Sequence, residues 1–328
     1  MNGENFFGNA QTMDYLRRQI ADGKFPHAVI FAGAEGVGKR RAAEICAAAI
    51  LCENPTDGEP CGVCENCHLV AAKSHPDFYI VEPETTKSTR NIKIGQIRAM
   101  QTEAALKPIN SERRVVIIDG AELMNTAAAN CLLKTIEEPP SQTIFILLTA
   151  NRSALLMTIR SRCQAVNFDS LTAAEIQTAL ISRGVEQSEA ARLAIIADGS
   201  FGRALKLKNS GGAKIRERAL NTLEKISRAE LTDEEIFTFG AAAAEWSREQ
   251  FAEFITHLQK ILRDISFAED FAPRNPDLLE RLAAIKIPEQ KIFALIETGV
   301  QFHRRLKSNA SLRLLAEAYL MSLRKILR

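Results

Sequence analysis

A short apolar run, residues 27–33 (HAVIFAG), enters a glycine-rich turn and leaves it as an alanine-rich helical segment, residues 39–51. The turn reads Gly33-Ala34-Glu35-Gly36-Val37-Gly38-Lys39-Arg40. A glycine, four residues and then Gly-Lys between a strand and a helix is the phosphate-loop pattern. The glycines let backbone amides turn toward phosphate oxygens, and the N-terminus of the following helix adds positive potential. Strand before and helix after favour this over a plain glycine-rich turn, and they commit the chain to a sheet with crossover helices.

The segments that follow fit such a sheet. Residues 78–81 (FYIV), 113–120 (RRVVIIDG), 143–150 (TIFILLTA) and 164–168 (QAVNF) read as strands. VVII and IFILL are continuously apolar, as expected of strands buried on both faces of a parallel sheet. Helical segments at 92–106 and 125–138 lie between them. After residue 169 the strand signals stop. Residues 171–184 open on Thr172 with Glu175 three positions on, a capping-box pattern, and end in a glycine. SGG at 210–212 is the clearest linker candidate. Everything beyond it reads as helix, including 213–229, a long segment at 234–269 and two later segments broken near Pro273, Pro276 and Pro288. Phe251, Phe254, Ile255, Leu258, Ile261 and Leu262 form an apolar stripe at helical spacing.

The chain has 328 residues, enough for two or three domains. Its formal net charge is only +2, small for a protein that grips DNA alone, because phosphate neutralisation drives such binding. The first residues lack the basic start and apolar core of a secretory signal, and no apolar run reaches membrane-spanning length. A cytoplasmic protein without membrane contact is the expectation.

Two positions depart from a working phosphate-loop enzyme. Arg40 stands where a Ser or Thr hydroxyl should hold Mg²⁺, and a guanidinium cannot ligate a cation. The strand VVIID ends in Asp119, placed to assist a metal, but the next residue is Gly120 rather than a water-polarising acid. Glu122 lies further on and should point elsewhere if a helix has begun. Gly33, Gly36, Gly38, Lys39 and Asp119 are intact, which leaves room for a nucleotide or phosphate without turnover.

Of seven cysteines, four cluster as Cys52, Cys61, Cys64 and Cys67. Four thiolates at such spacing can close a tetrahedral zinc shell with no open position, a structural rather than catalytic centre. A deaminase site is excluded because no H-x-E lies upstream. An iron–sulfur cluster is the alternative for four cysteines, without any sign of redox chemistry. Cys46, Cys131 and Cys163 read as small core residues.

These motifs, in order, resemble the bacterial clamp-loader family within the AAA+ superfamily: the phosphate loop, the four-cysteine insertion, VVIIDGAELMN (115–125), NCLLKTIEEPP (130–140), FILLTAN (145–151), IRSRCQ (159–164) and GSFGRAL (199–205). The resemblance implies an α/β then all-α chain. An AAA+ type parallel-sheet domain with a zinc insertion spans 1–169, a small helical lid 170–209, and a helical collar for oligomerisation 210–328. The defects at Arg40 and Gly120 fit the delta-prime type, which resembles the motor subunits without hydrolysing ATP. An active motor ATPase of the same complex and a zinc-dependent DNA-binding module are the competing readings. Implied partners are the motor and clamp-opening subunits, with the sliding clamp and primer–template DNA reached through the complex. The resemblance also gives Arg162, in Ser161-Arg162-Cys163, the role of an arginine finger on a neighbour's γ-phosphate, with Arg160 and Arg152 as rivals. Without the resemblance, Arg162 would be expected to pair with a surface carboxylate.

Overall fold

The structure, a computed structural model, describes residues 6–85, 90–140, 142–266, 273, 275–306 and 310–327. The chain divides into two compact units, Met1–Arg183 with Gly199–Gly202, and Gly184–Asp198 with Arg203–Arg328.

The first unit carries strands β1 (Ala28–Ala32), β2 (Phe78–Val81), β3 (Glu84–Thr85), β4 (Arg90–Asn91), β5 (Arg114–Asp119), β6 (Thr143–Thr149) and β7 (Gln164–Asn167). Five of them form a parallel sheet in the order β2-β5-β6-β1-β7, and β3 and β4 pair as a small antiparallel ladder. Its helices are α1 (Ala10–Ala21), α2 (Lys39–Leu51), α3 (Glu65–Ala71), α4 (Ile94–Ala105), α5 (Thr126–Glu137), α6 (Met157–Arg160) and α7 (Ala173–Ile181). This is the mainly parallel sheet with crossover helices expected from the sequence.

The central strands β1, β5 and β6 are apolar along their middles because both faces are covered, whereas the edge strands β2 and β7 expose Tyr79, Gln164 and Asn167. Val29, Phe31, Val115, Ile117, Ile146 and Leu148 pack with Met13 and Leu16 of α1 and Ala42 and Ile45 of α2. Their neighbours Ala28, Ile30, Val116, Ile118, Phe145 and Leu147 pack with Ile97 and Met100 of α4 and Leu132 and Ile136 of α5. Side chains alternate between faces, so each register is fixed by two cores at once. The carboxyl ends of β1, β5 and β6 therefore come together at one edge of the sheet, where open α/β sheets hold their ligands. Thr172 caps α7 in the expected capping box with Glu175.

The second unit is helical: α8 (Gln187–Ile196), most of α9 (Phe201–Ser210), α10 (Gly212–Ser227), α11 (Asp233–Ala244), α12 (Arg248–Ser266), α13 (Leu279–Ala283), α14 (Glu289–Arg305) and α15 (Leu312–Leu327). The stripe from Phe251 to Leu262 is buried in the core of this bundle, joined by Phe239, Phe302 and Tyr319. Two sequence readings are corrected here. SGG is a tight junction, not a flexible linker. Only Gly211, at φ 72°, separates α9 from α10, and a Cβ on Gly212 would lie 2.2 Å from the Leu207 side chain. The segment at 234–269 is two helices, broken at 245–247, while 267–269 lie outside the described residues. Ser247 and Gln250 exchange hydrogen bonds as a capping box at the start of α12, and Ser-x-x-Gln was the overlooked signal.

His257 sits at 1% exposure in this bundle, its Nε2 4.0 Å from a Glu253 carboxylate oxygen and without a hydrogen-bond partner among the described residues. Burial, reinforced by Arg203, Arg216 and Lys260, depresses its pKa to about 3. A neutral buried histidine is charged in the unfolded chain first. Its share of stability is thus present above about pH 6.5 and drains away as pH falls toward 3, by up to about 1.4 kcal/mol per pH unit. Urea titrations of wild type and His257→Gln from pH 7 to 4 should show a smaller acid loss in the variant. Parallel pH dependences would refute the assignment.

Candidate functional sites

The phosphate loop folds onto its own polar groups. Lys39 Nζ donates to the carbonyl oxygens of Gly33 at 2.6 Å and Ala34 at 2.7 Å. Burial holds the Lys39 pKa below its usual value, although Glu122, Asp119 and Glu35 oppose that shift. Gly36 (φ 78°) lies so close to the 199–202 segment that a Cβ would meet Ser200 Oγ at 2.3 Å, and its carbonyl accepts from Gly202 N at 2.9 Å. Gly199 to Gly202, the start of the GSFGRAL motif, thereby closes over the loop.

Arg40 has a structural role that the sequence did not reveal. Its Nη1 donates to Asp119 Oδ2 at 2.9 Å and pairs with Glu82, while Nε donates to Glu44 at 3.3 Å. Burial works against the charge, but Glu82, Glu44 and Asp119 outweigh it and raise the Arg40 pKa above the usual arginine value. Hydrogen bonding to Arg40 lowers the Glu82 pKa in turn. The guanidinium thus neutralises the carboxylate that a divalent cation would use. Glu44, four residues on, is a partner the helix period could have given; Glu82 is not.

Beyond Asp119 the chain turns at Gly120 into a short 3₁₀ segment, Ala121–Leu123. Glu122 Oε1 accepts from Ala150 N at 2.9 Å, while its buried Oε2 has no hydrogen-bond partner among the described residues. Asn151 likewise accepts from Ser153 N and caps its own turn. The residue after Asp119 brings no carboxylate to the loop, as the sequence indicated.

Arg162 follows α6 on the surface. Its Nη2 pairs with Glu137 Oε1 at 2.8 Å, and Nη1 donates to Thr158 O at 3.1 Å and Ser161 Oγ at 3.3 Å. The surface-carboxylate pairing expected of an isolated arginine is therefore present. Arg160 is half-buried with Nε unpartnered among the described residues, and Arg152 is exposed.

The four cysteines converge. Cys52 ends α2 and Cys64 caps α3. All four Sγ atoms lie within 4.8 Å of one another, with Cys52–Cys64 and Cys61–Cys67 both at 3.9 Å and no disulfide. Thiolates bonded to a tetrahedral zinc at about 2.3 Å sit about 3.8 Å apart, so the set fits a closed metal centre. Backbone N–H groups of Cys61, Cys64 and Cys67 donate to Cys52, Cys61 and Cys64 sulfurs respectively, which favours thiolates over thiols. Donors from Val63 and Cys64 pull the Cys61 thiol down to about 6, whereas burial raises Cys52 and Cys67, so a metal rather than the cluster alone would hold all four as thiolates. Cys46 and Cys163 are buried thiols whose pKa values burial raises to about 12 and about 11, apart from the cluster.

A buried polar network anchors this module. Asn66 Nδ2 donates to Leu51 O and Ser111 Oγ. Asp77 accepts from the backbone N–H groups of Ile109, Asn110 and Ser111 and from Arg114 Nη2. Burial would raise the Asp77 pKa, but these donors win and hold it below the usual carboxylate range. His75 Nδ1 accepts from Asp77 N, leaving Nε2 as the donor toward Ser111 Oγ at 3.4 Å; that histidine cannot serve as a base for the serine.

A sequence model of the family described as DNA polymerase III, delta subunit matches residues 8–172, half of the chain and all of the sheet. The chain belongs to that family. Among the relatives of this delta-family chain is the DNA polymerase III subunit delta' of Pseudomonas aeruginosa, 34% identical over 204 residues, covering 62% of this chain and 61% of the relative. The delta' subunit of Bacillus subtilis is 33% identical over 217 residues, covering 66% and 64%. The delta-family chain here thus spans about three fifths of the length of these curated relatives. The crystal structure of a DNA polymerase III gamma subunit-related protein from Thermotoga maritima superposes with a TM-score of 0.50 at 19% identity, covering 97% of this chain and 100% of that one, a likeness of fold. Among the described residues no helix is long and apolar enough to cross a membrane.

Proposed function

We propose that this chain is the non-hydrolysing, delta-prime-type subunit of a bacterial clamp loader. In this role it helps load the sliding clamp onto primed DNA beside motor and clamp-opening subunits in the cytoplasm. Residues 1–169 keep the ATPase geometry, 170–209 act as lid and 210–328 as collar. Arg162 serves a neighbouring ATPase as its finger. Cys52, Cys61, Cys64 and Cys67 hold one structural zinc ion, which supplies cross-linking of the insertion and no chemistry.

The observation that carries the proposal is Arg40 bound to Asp119. Phosphoryl transfer depends on a metal to neutralise charge and on a residue that positions water. Here the metal's carboxylate already holds a guanidinium, no hydroxyl follows Lys39, and Ala150 N engages one oxygen of Glu122. Any nucleotide held by Gly33, Gly36, Gly38 and Lys39 would remain intact.

The isolated chain with ATP and Mg²⁺ should release no phosphate above background in a steady-state assay. Turnover of about 1 s⁻¹ or more, the range of ordinary enzymes, that disappears in Lys39→Ala would instead make the chain a motor subunit.

A further inference from the structure

We propose that Glu137 is a positioning residue for Arg162: its carboxylate holds the guanidinium in reserve and competes with a neighbour's phosphate for it. The proposal rests on the finger reading of Arg162.

Both terminal nitrogens of Arg162 are engaged within its own chain. Nη2 faces Glu137 Oε1 at 2.8 Å, while Nη1 is shared between Thr158 O and Ser161 Oγ. Bidentate recognition of a phosphate uses two parallel N–H bonds from the same planar fork. A phosphate that accepts the two parallel N–H bonds of Nη1 and Nη2 meets Glu137 as its rival at Nη2. The contacts on Nη1 are to a carbonyl and a hydroxyl, and both are weak competitors for a charged donor. Glu137 is the one charged rival among these partners.

The pair is built to yield. Arg162 and Glu137 are 41% and 40% exposed, so solvent screens their attraction and leaves it small. A phosphate brings more negative charge than one carboxylate and can accept two parallel charge-assisted bonds where Glu137 accepts one. The backbone of Glu137 is held: it ends α5, whose Leu132 and Ile136 are anchored in the core under the sheet, which keeps this residue beside α6. Glu137 belongs to NCLLKTIEEPP and Arg162 to IRSRCQ, so two motifs separate in sequence meet in this contact.

The test uses the reconstituted complex with its other subunits. Glu137→Gln keeps the shape and removes the charge. Steady-state ATPase should rise by about two- to fivefold, the range an exposed ion pair commands. The rise should shrink as salt increases, because screening already weakens the wild-type pair. Glu137→Asp, which restores the charge, should return the rate toward wild type. In an Arg162→Ala background, Glu137→Gln should change nothing.

An unchanged or lowered rate in Glu137→Gln, while Arg162→Ala still slows the complex, overturns the competition and leaves the finger standing. No effect from either substitution removes the finger reading itself. A rise that persists in the Arg162→Ala background also overturns the proposal, since Glu137 would then act on something else.

Discussion

With Arg162 acting as the proposed finger, replacing it with alanine should slow ATP hydrolysis by about 10³-fold or more at the site it reaches, because fingers supplied in trans contribute about 10³ to 10⁵. The physical basis is the guanidinium itself. It is always charged, planar, and able to stabilise charge spread over the oxygens of a transferring phosphoryl group. Lysine would bring a point charge without the fork, so Arg162→Lys should recover little. Arg162 is suited to this role in a way that its neighbours are not. It is exposed, and its partners are surface groups that a phosphate can displace. Arg160 has a buried, unpartnered Nε, so its alanine variant should lower stability or assembly rather than turnover in the intact complex. The measurement is the ATPase rate of reconstituted complexes whose assembly is verified by size-exclusion chromatography. If Arg162→Ala assembles and hydrolyses like wild type, Arg162 is not the finger. If the complex falls apart, the arginine is structural at the subunit boundary.

Much of the sheet was legible because its signals are local. Each short apolar run between turn signals reads as a strand covered on both faces, and Val115 to Ile118 and Ile144 to Leu148 are buried. The cysteine spacing likewise carried its own geometry, and all four sulfurs meet. What escaped was mostly long-range. The sequence marked Arg40 as a defect in metal binding, but Glu82, the partner that helps turn the defect into a neutralised cluster, lies 42 positions away. The Asn66–Ser111 contact ties the cysteine insertion to a loop before β5, the Asp77–Ile109 contact ties the start of β2 to the same loop, and no periodicity links those residues. In the helical half, two glycines at 211 and 212 were read as slack. Glycine signals unusual backbone or close approach as readily as flexibility, and here it permits a one-residue turn against Leu207. The break at 245–247 carried a local sign in Ser247 and Gln250, but continuous apolar spacing across it concealed the stop.

Protein purified without chelator should carry one zinc per chain, and Cys64→Ser should lose it. Tight binding by four thiolates can contribute on the order of 10 kcal/mol, comparable to the total stability of a whole domain, so the small module should unfold without its metal. Damage should spread along the contacts that dock it. Asn66 sits between two of the ligands, and its hydrogen bonds to Leu51 O and Ser111 Oγ depend on the turn those ligands impose. Losing them frees the end of α2 and the loop near residue 111. The sheet itself should survive, because β5 is held by both cores and by Asp77, whose backbone donors come from outside the cysteine turn. The expected result is therefore local: rapid proteolysis between residues 52 and 71 in Cys64→Ser, near-wild-type far-ultraviolet circular dichroism, and zinc below detection by elemental analysis. Iron with visible absorbance in the wild type would reassign the cluster, since zinc thiolates are colourless. Less than about half an equivalent of any metal in the wild type would remove the closed centre altogether, because binding this tight should leave the site full.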